Sequence, residues 1–133
     1  MKENLIMSTV YNVLMDEGYR PKREKLCPEV TTLFFKSQGH PLTILSNGDD
    51  IIEIDAAVIM PYNKKFGRLD LYNFVSNFKC MQVADVEFQD NKKSLGFVLR
   101  FQSMVLNTND VKGVLEWGIS IITHCLEEIY NIN

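Results

Sequence analysis

Hydrophobic positions along this chain follow two periods in turn. Near the start, Ile6, Val10, Val13 and Leu14 recur at three- and four-residue steps, with Met7 at the edge of the stripe. That spacing predicts an amphipathic helix from Glu3 to Glu17, and Gly18 stands where a left-handed residue ends a helix. Tyr19 to Glu29 carries two prolines and charges of both signs, which predicts a loop or an edge segment rather than a central strand. The period then drops to two. Val30 to Ser37 and His40 to Ser46 read as strands joined at Gln38-Gly39. Pairing across that turn sets Phe35 opposite Leu42 and Leu33 opposite Ile44.

Ile51 to Met60 is the third predicted strand. Ile52, Ile54, Ala56, Val58 and Met60 share one face, while Glu53 and Asp55 point the other way. A three-residue Asn47-Gly48-Asp49 loop places Ile44 opposite Ile52 and Leu42 opposite Ile54. A two-residue turn would instead bury the Glu53 carboxylate, because one residue of slip moves every side chain to the other face. Pro61 to Gly67 reads as a connection. Leu69 to Met81 reads as a second helix with Leu71, Phe74, Val75 and Phe78 on its apolar face. Val83 to Gln89 and Leu95 to Val105 form a predicted hairpin in which Ala84 faces Leu99, Val86 faces Phe97 and Phe88 faces Leu95. On the other face Asp85 lies diagonal to Arg100, a modest surface pair.

Asn107-Thr108-Asn109-Asp110 supplies caps for a closing helix from Asp110 to Tyr130. Its apolar arc is broad. Val111, Leu115, Gly118, Ile122, Cys125 and Ile129 form a seam, flanked by Val114, Trp117 and Ile121 on one side and Ile119, Leu126 and Tyr130 on the other. Together these positions span roughly 200° of the helix, against the ~100° that packing on one sheet requires. The surplus admits two readings: a helix buried along most of its surface with Trp117 at a core edge, or a surface for a second copy or a docked peptide. Gly118 matters to both, since a missing side chain lets another backbone come close.

The 133 residues fit one domain spanning 1–133, and the order of elements predicts an α+β fold, α-βββ-α-ββ-α, with helices on one face of an antiparallel sheet. The other sheet face would carry Phe34, Leu45 and Val98 beside Thr32, Thr43, Asp85 and Arg100. The aromatics expected nearest a surface are Phe34, Phe101, Tyr62, Phe66 and Tyr72.

A net charge of −3, with basic runs that are short and broken, argues against a nucleic-acid partner. Cys27, Cys80 and Cys125 are odd in number and far apart, so no disulfide framework is read. No apolar run approaches the roughly 20 residues needed to span a bilayer, and no signal-like segment opens the chain, so no membrane partner and a cytoplasmic location are expected. His124 and Cys125 are adjacent and diverge on a helix, and His40 stands alone, so no metal is expected. Asp49, Asp50, Glu53 and Asp55 resemble a solvated acidic hairpin tip; a calcium loop would need different spacing. There is no nucleophile elbow, phosphate-binding loop or dinucleotide fingerprint, so neither an enzyme nor a cofactor is expected.

Several of these segments together resemble the YbjN-like family, described as bacterial sensory transduction regulators. They are Val13-Leu14-Met15-Asp16-Glu17-Gly18-Tyr19, the Asn47-Gly48-Asp49-Asp50 turn before Ile51-Ile52-Glu53-Ile54, the Leu71 to Phe78 helix, and Val83-Ala84-Asp85-Val86-Glu87-Phe88 with its hairpin partner. The resemblance spans nearly the whole chain. It implies the fold of type III secretion chaperones, which are commonly dimers that hold an extended protein segment along hydrophobic patches. It implies no catalytic residues.

The expectation is therefore a non-enzymatic adaptor or chaperone-like regulatory domain that binds a protein partner, with a homodimer left open. The expected partner-binding residues are Val114, Trp117, Gly118 and Ile121 on the last helix, and Phe34, Leu45 and Val98 on the outer sheet face. The alternative is a small-molecule sensor, which would need a closed pocket between sheet and helices with convergent polar groups; a deep cavity lined by Phe74, Phe78 and Phe97 with a buried unpaired polar residue would favour it.

Overall fold

A computed structural model of the protein describes residues 2–27, 30–46, 50–61, 73–78, 81–84 and 94–131. Helix α1 (Lys2–Asp16) is followed by strands β1 (Lys22–Cys27), β2 (Val30–Ser37), β3 (His40–Ser46) and β4 (Ile51–Pro61). A helical turn at 73–75 precedes β5 (Met81–Ala84) and β6 (Ser94–Met104). A short 3₁₀ turn (Thr108–Asp110) leads into the closing helix α2 (Val111–Asn131). The fold is the expected α+β class. Among the described residues six strands form one antiparallel sheet in the order β1-β2-β3-β4-β6-β5.

The element boundaries follow local chemistry. Gly18 ends α1 at φ +86°, a conformation that costs glycine nothing. Gln38 and Gly39, at φ +50° and +83°, make the two-residue turn whose twist matches a hairpin. That turn sets Phe35 opposite Leu42 and Leu33 opposite Ile44, the expected register. The Asn107 side chain accepts a hydrogen bond from the Asn109 amide at 2.9 Å and caps the turn before α2. The segment after Pro21 becomes the edge strand β1.

Helices α1 and α2 lie on one face of the sheet. Ile6, Met7, Val10 and Leu14 of α1 meet Leu33, Leu42 and Ile44 in the same buried cluster. Along β4 and β6, alternate residues Ile52, Ile54, Ala56, Phe97, Leu99 and Phe101 are buried with them. Seam residues Val111, Leu115, Ile122, Cys125 and Ile129 are all buried, as are the flanking Ile119 and Leu126.

Gly118 explains how α2 comes so close. A Cβ there would lie 2.6 Å from the Phe101 ring and 2.8 Å from Ile54 Cδ1. What its bare surface admits is therefore the Phe101 and Ile54 side chains of this chain's own sheet. Phe101 is fully buried beneath it rather than near a surface, because the period of two that buries Phe97 and Leu99 continues through it.

Two expectations about register need correction. In β3–β4, Ile44 faces Ile54 and Ser46 faces Ile52, a shift of two residues from the expected pairs. A two-residue shift keeps every side chain on its face, so hydrophobic parity is blind to it. On its other edge β4 pairs with β6: the Asp50 carbonyl accepts a 2.6 Å hydrogen bond from the Val105 amide, and Ile51 pairs with Met104. The Asn47-Gly48-Asp49 segment itself lies outside the described residues.

The second correction concerns β5, which starts at Met81, within the predicted helix, and puts Met81 opposite Phe101 and Val83 opposite Leu99. This one-residue difference brings the larger Met81, which is buried, into core register instead of Ala84. Leu71, Val86 and Phe88 fall outside the described residues. Val75 is buried, and Phe74 and Phe78 pack against the core at 5.6 Å from each other.

Asp85, expected diagonal to Arg100, lies outside the described residues. Strand β6 sits beside β4, and there Arg100 finds Asp55 directly opposite.

Candidate functional site: the outer face of the sheet

Residues of opposite parity project from the sheet face away from the helices. Across β2, β3, β4, β6 and β5 one row reads Phe34, Thr43, Asp55, Arg100 and Gln82. The adjacent row reads Thr32, Leu45, Glu53 and Gln102. Strand alternation alone places these side chains together.

The middle of this face is an ion-pair network. Arg100 Nε donates to Asp55 Oδ1 at 3.2 Å and lies 3.2 Å from Glu53 Oε2. Gln102 Nε2 donates to Glu53 Oε1 at 2.7 Å. The Thr43 hydroxyl donates to the Asp55 backbone carbonyl at 3.5 Å. Two carboxylates thus share one guanidinium. Burial, reinforced by the neighbouring Glu53 carboxylate and opposed by Arg100, pushes the Asp55 carboxyl up to about 7. At Arg100, burial works against the charge, but the Asp55 hydrogen bond and both carboxylates outweigh it and hold the guanidinium above its usual range.

Glu53 and Asp55 are therefore not part of a solvated acidic tip. They sit on β4, and Glu53 is buried. Thr32 is buried on the same face, and its hydroxyl has no hydrogen-bond partner.

Beside this network lies an open cleft of about 800 Å³. Its apolar walls include Phe34, Pro41, Ala57 and Val98, and Asp55 and Thr43 adjoin them on the network side. At the β1–β2 end Tyr19, Arg20 and Lys36 line it. Volume and lining resemble those of ligand-binding clefts, which are mostly apolar with a few placed polar groups. Two expected partner residues, Phe34 and Val98, line this cleft and are half-buried. The third, Leu45, is half-buried one row away, opposite Glu53.

The four residues expected on α2 separate. Gly118 is buried against the sheet and offers no surface. Trp117 is 42% exposed, and its ring meets Phe101 edge-on at 5.4 Å, so it caps the core edge. Val114 and Ile121 are half-buried beside the core. Most of the broad arc of α2 is thus absorbed by this chain, leaving Trp117 on one flank and Tyr130 on the other as its exposed members.

A smaller groove of about 340 Å³ lies between α1, the β2–β3 turn and α2, with Glu17, Glu116, His124 and Glu127 among its lining residues. Phe97 is buried in the core, and neither cavity is lined by Phe74, Phe78 or Phe97. His40 stacks on Tyr130 at 5.8 Å, and Cys125 is buried, its thiol pushed up to about 12 by burial and Glu128. Among the described residues no three metal-ligating side chains gather, and no helix is long and apolar enough to cross a membrane.

Sequence reading missed Arg20, Lys36, Pro41 and Ala57 as cleft residues. Pro41 and Ala57 share outward parity with Phe34 and Val98, a signal present in the strand pattern. Arg20 carried no such signal, since it precedes β1.

No protein-family model and no curated protein matches the sequence. A solved structure described as an uncharacterized protein from Methanothermobacter thermautotrophicus is similar over 96% of this chain and 99% of its own, with a TM-score of 0.44 and 12% identity. That likeness names no activity and carries no argument about function.

Proposed function

We propose that this chain is a non-enzymatic, cytoplasmic binding domain that holds an apolar segment of a protein partner against the outer face of its sheet. The observation that carries this reading is the open cleft of about 800 Å³ walled by Phe34, Pro41, Ala57 and Val98. The small-molecule alternative asks for a closed pocket between sheet and helices. The larger cavity opens on the opposite face, which favours a length of chain over an enclosed molecule. The resemblance to the YbjN-like family and its chaperone-like fold points the same way.

An Asp55 carboxyl near neutrality is the kind of group that acid–base catalysis uses. Here its Oδ1 is already engaged by Arg100, and structural ion-pair networks raise carboxyl pKa values in the same manner.

A photo-crosslinking residue placed at Val98 tests the proposal in cells of the native host, with the same residue at exposed Lys112 on α2 as control. A discrete protein adduct from position 98, absent from position 112 and lost on adding Phe34→Ser, is the expected result. Equal adducts from both positions, or adducts indifferent to Phe34→Ser, would reject the outer face as the partner site. An adduct between two copies of the chain would identify the partner as a homodimer.

A further inference from the structure

The cleft is electrically lopsided. Its β1–β2 end carries Arg20 and Lys36, and exposed Lys22 stands directly opposite Phe34. None of these three cations has an ion-pair partner among the described residues. Among the described residues the only acid lining the cleft is Asp55, which lies on β4 and is engaged by Arg100. A chain with net charge −3 thus presents unpaired positive charge beside apolar walls.

Arg20 is also held there at a conformational cost. Its φ is +52°, in the left-handed region that glycine favours. It precedes Pro21, and a residue before proline normally adopts extended backbone. Gln38 shares the positive φ, but a two-residue hairpin turn requires it there. No turn of that kind explains Arg20. Strain of this sort persists only where the surrounding structure enforces it, and it collects at ligand-binding positions.

From the walls and the charge together we infer that the partner segment is an apolar run flanked by acidic residues: the run lies on Phe34, Ala57 and Val98, and the acidic flank meets Arg20 and Lys36. This rests on the outer face being the binding face. The apolar contact supplies adhesion, and the cationic end sets direction and selects against basic segments.

Three fluorescein-labelled synthetic peptides test it. They share one Leu/Val/Phe core and carry Asp, Gln or Lys flanks. Anisotropy titrations with the full-length protein should rank them Asp, then Gln, then Lys. Two exposed ion pairs of modest strength correspond to a step of roughly fivefold to tenfold in Kd between flanks. Added salt should shrink the difference.

Arg20→Glu/Lys36→Glu should invert the order, with near-ultraviolet circular dichroism of Trp117 confirming that the variant is folded. Equal binding of all three peptides, abolished by Val98→Asp, would overturn the acidic-flank inference while leaving the apolar cleft as a binding site. Failure of every peptide to bind would overturn both.

Discussion

The two faces of this sheet are built from the same strands, one residue out of phase, and they obey different rules. Toward the helices, Ile44, Ile54, Leu99 and Phe101 are completely buried and wholly apolar. Away from them, Thr43, Asp55 and Arg100 alternate with Leu45 and Val98, and a half-buried ion-pair network replaces packed hydrocarbon. The contrast teaches where stability resides and where selectivity does. A buried aliphatic or aromatic side chain contributes about 1.5–3 kcal/mol by leaving water, so the inner face holds the fold. The outer face contributes less per residue and is free to carry charge and shape for a partner.

The strongest test of this division compares neighbours on β6. Phe101→Ala should cost about 3–5 kcal/mol, because it removes a fully buried ring and leaves a cavity under α2. Val98→Ala, on the opposite face, should cost about 1 kcal/mol or less. Urea unfolding of the two variants decides it; similar losses would mean that the outer face is a second core.

A smaller effect sharpens the inner-face account. Gly118→Ala gains about 1 kcal/mol of helix propensity, yet its methyl would meet the Phe101 ring at 2.6 Å. Net destabilisation of about 1–2 kcal/mol is expected from overpacking. Adding Phe101→Leu should recover part of it, a coupling that a double-mutant cycle reads directly.

Asp55 supplies the test of the outer face. Its carboxyl stands near 7 in the folded protein against an ordinary value of 3.8. Between those values the folded chain holds a proton that the unfolded chain has released. This contribution to stability is complete at the acid end of that interval and disappears as pH rises through about 7. Asp55→Asn mimics the protonated form. It should exceed the parent in stability by on the order of 1 kcal/mol at pH 8, with the gap closing toward pH 4. Denaturation midpoints across that range measure it, and a pH-independent gap would show that Asp55 titrates as an ordinary carboxylate.

The smallest expected change is at Arg20. Arg20→Gly relieves the positive φ and should add about 0.5–1 kcal/mol to stability, while weakening the acidic-flanked peptide more than the neutral one. A variant that loses stability would show that the Arg20 side chain is structural.

The inward parity of Leu33, Ile44, Ile54 and Leu99 was legible because strand alternation is a local property of the backbone. Gly18, the Gln38-Gly39 turn and the Asn107 cap were legible for the same reason, since each acts on its own neighbours. The candidate site was legible in part. Phe34 and Val98 were readable as outward residues, but nothing local shows that they line one cleft, or that Arg20 and Lys36 close its end. The breadth of the apolar arc on α2 was legible too, but its destination was not. Gly118 admits the sheet itself, and Trp117 covers the Phe101 edge.

By itself, then, the sequence determined which residues of β2, β3, β4 and β6 alternate inward and outward and where α1, the β2–β3 turn and α2 fall, because those depend on neighbours a few residues away; the start and parity of β5 it did not. Only the tertiary structure decided that β6 lies between β4 and β5. From that order follows the meeting of Arg100 with Asp55. Hydrophobic parity is unchanged by a slip of two, and strand order is not written in any local pattern, so contacts between residues distant in the chain settle both.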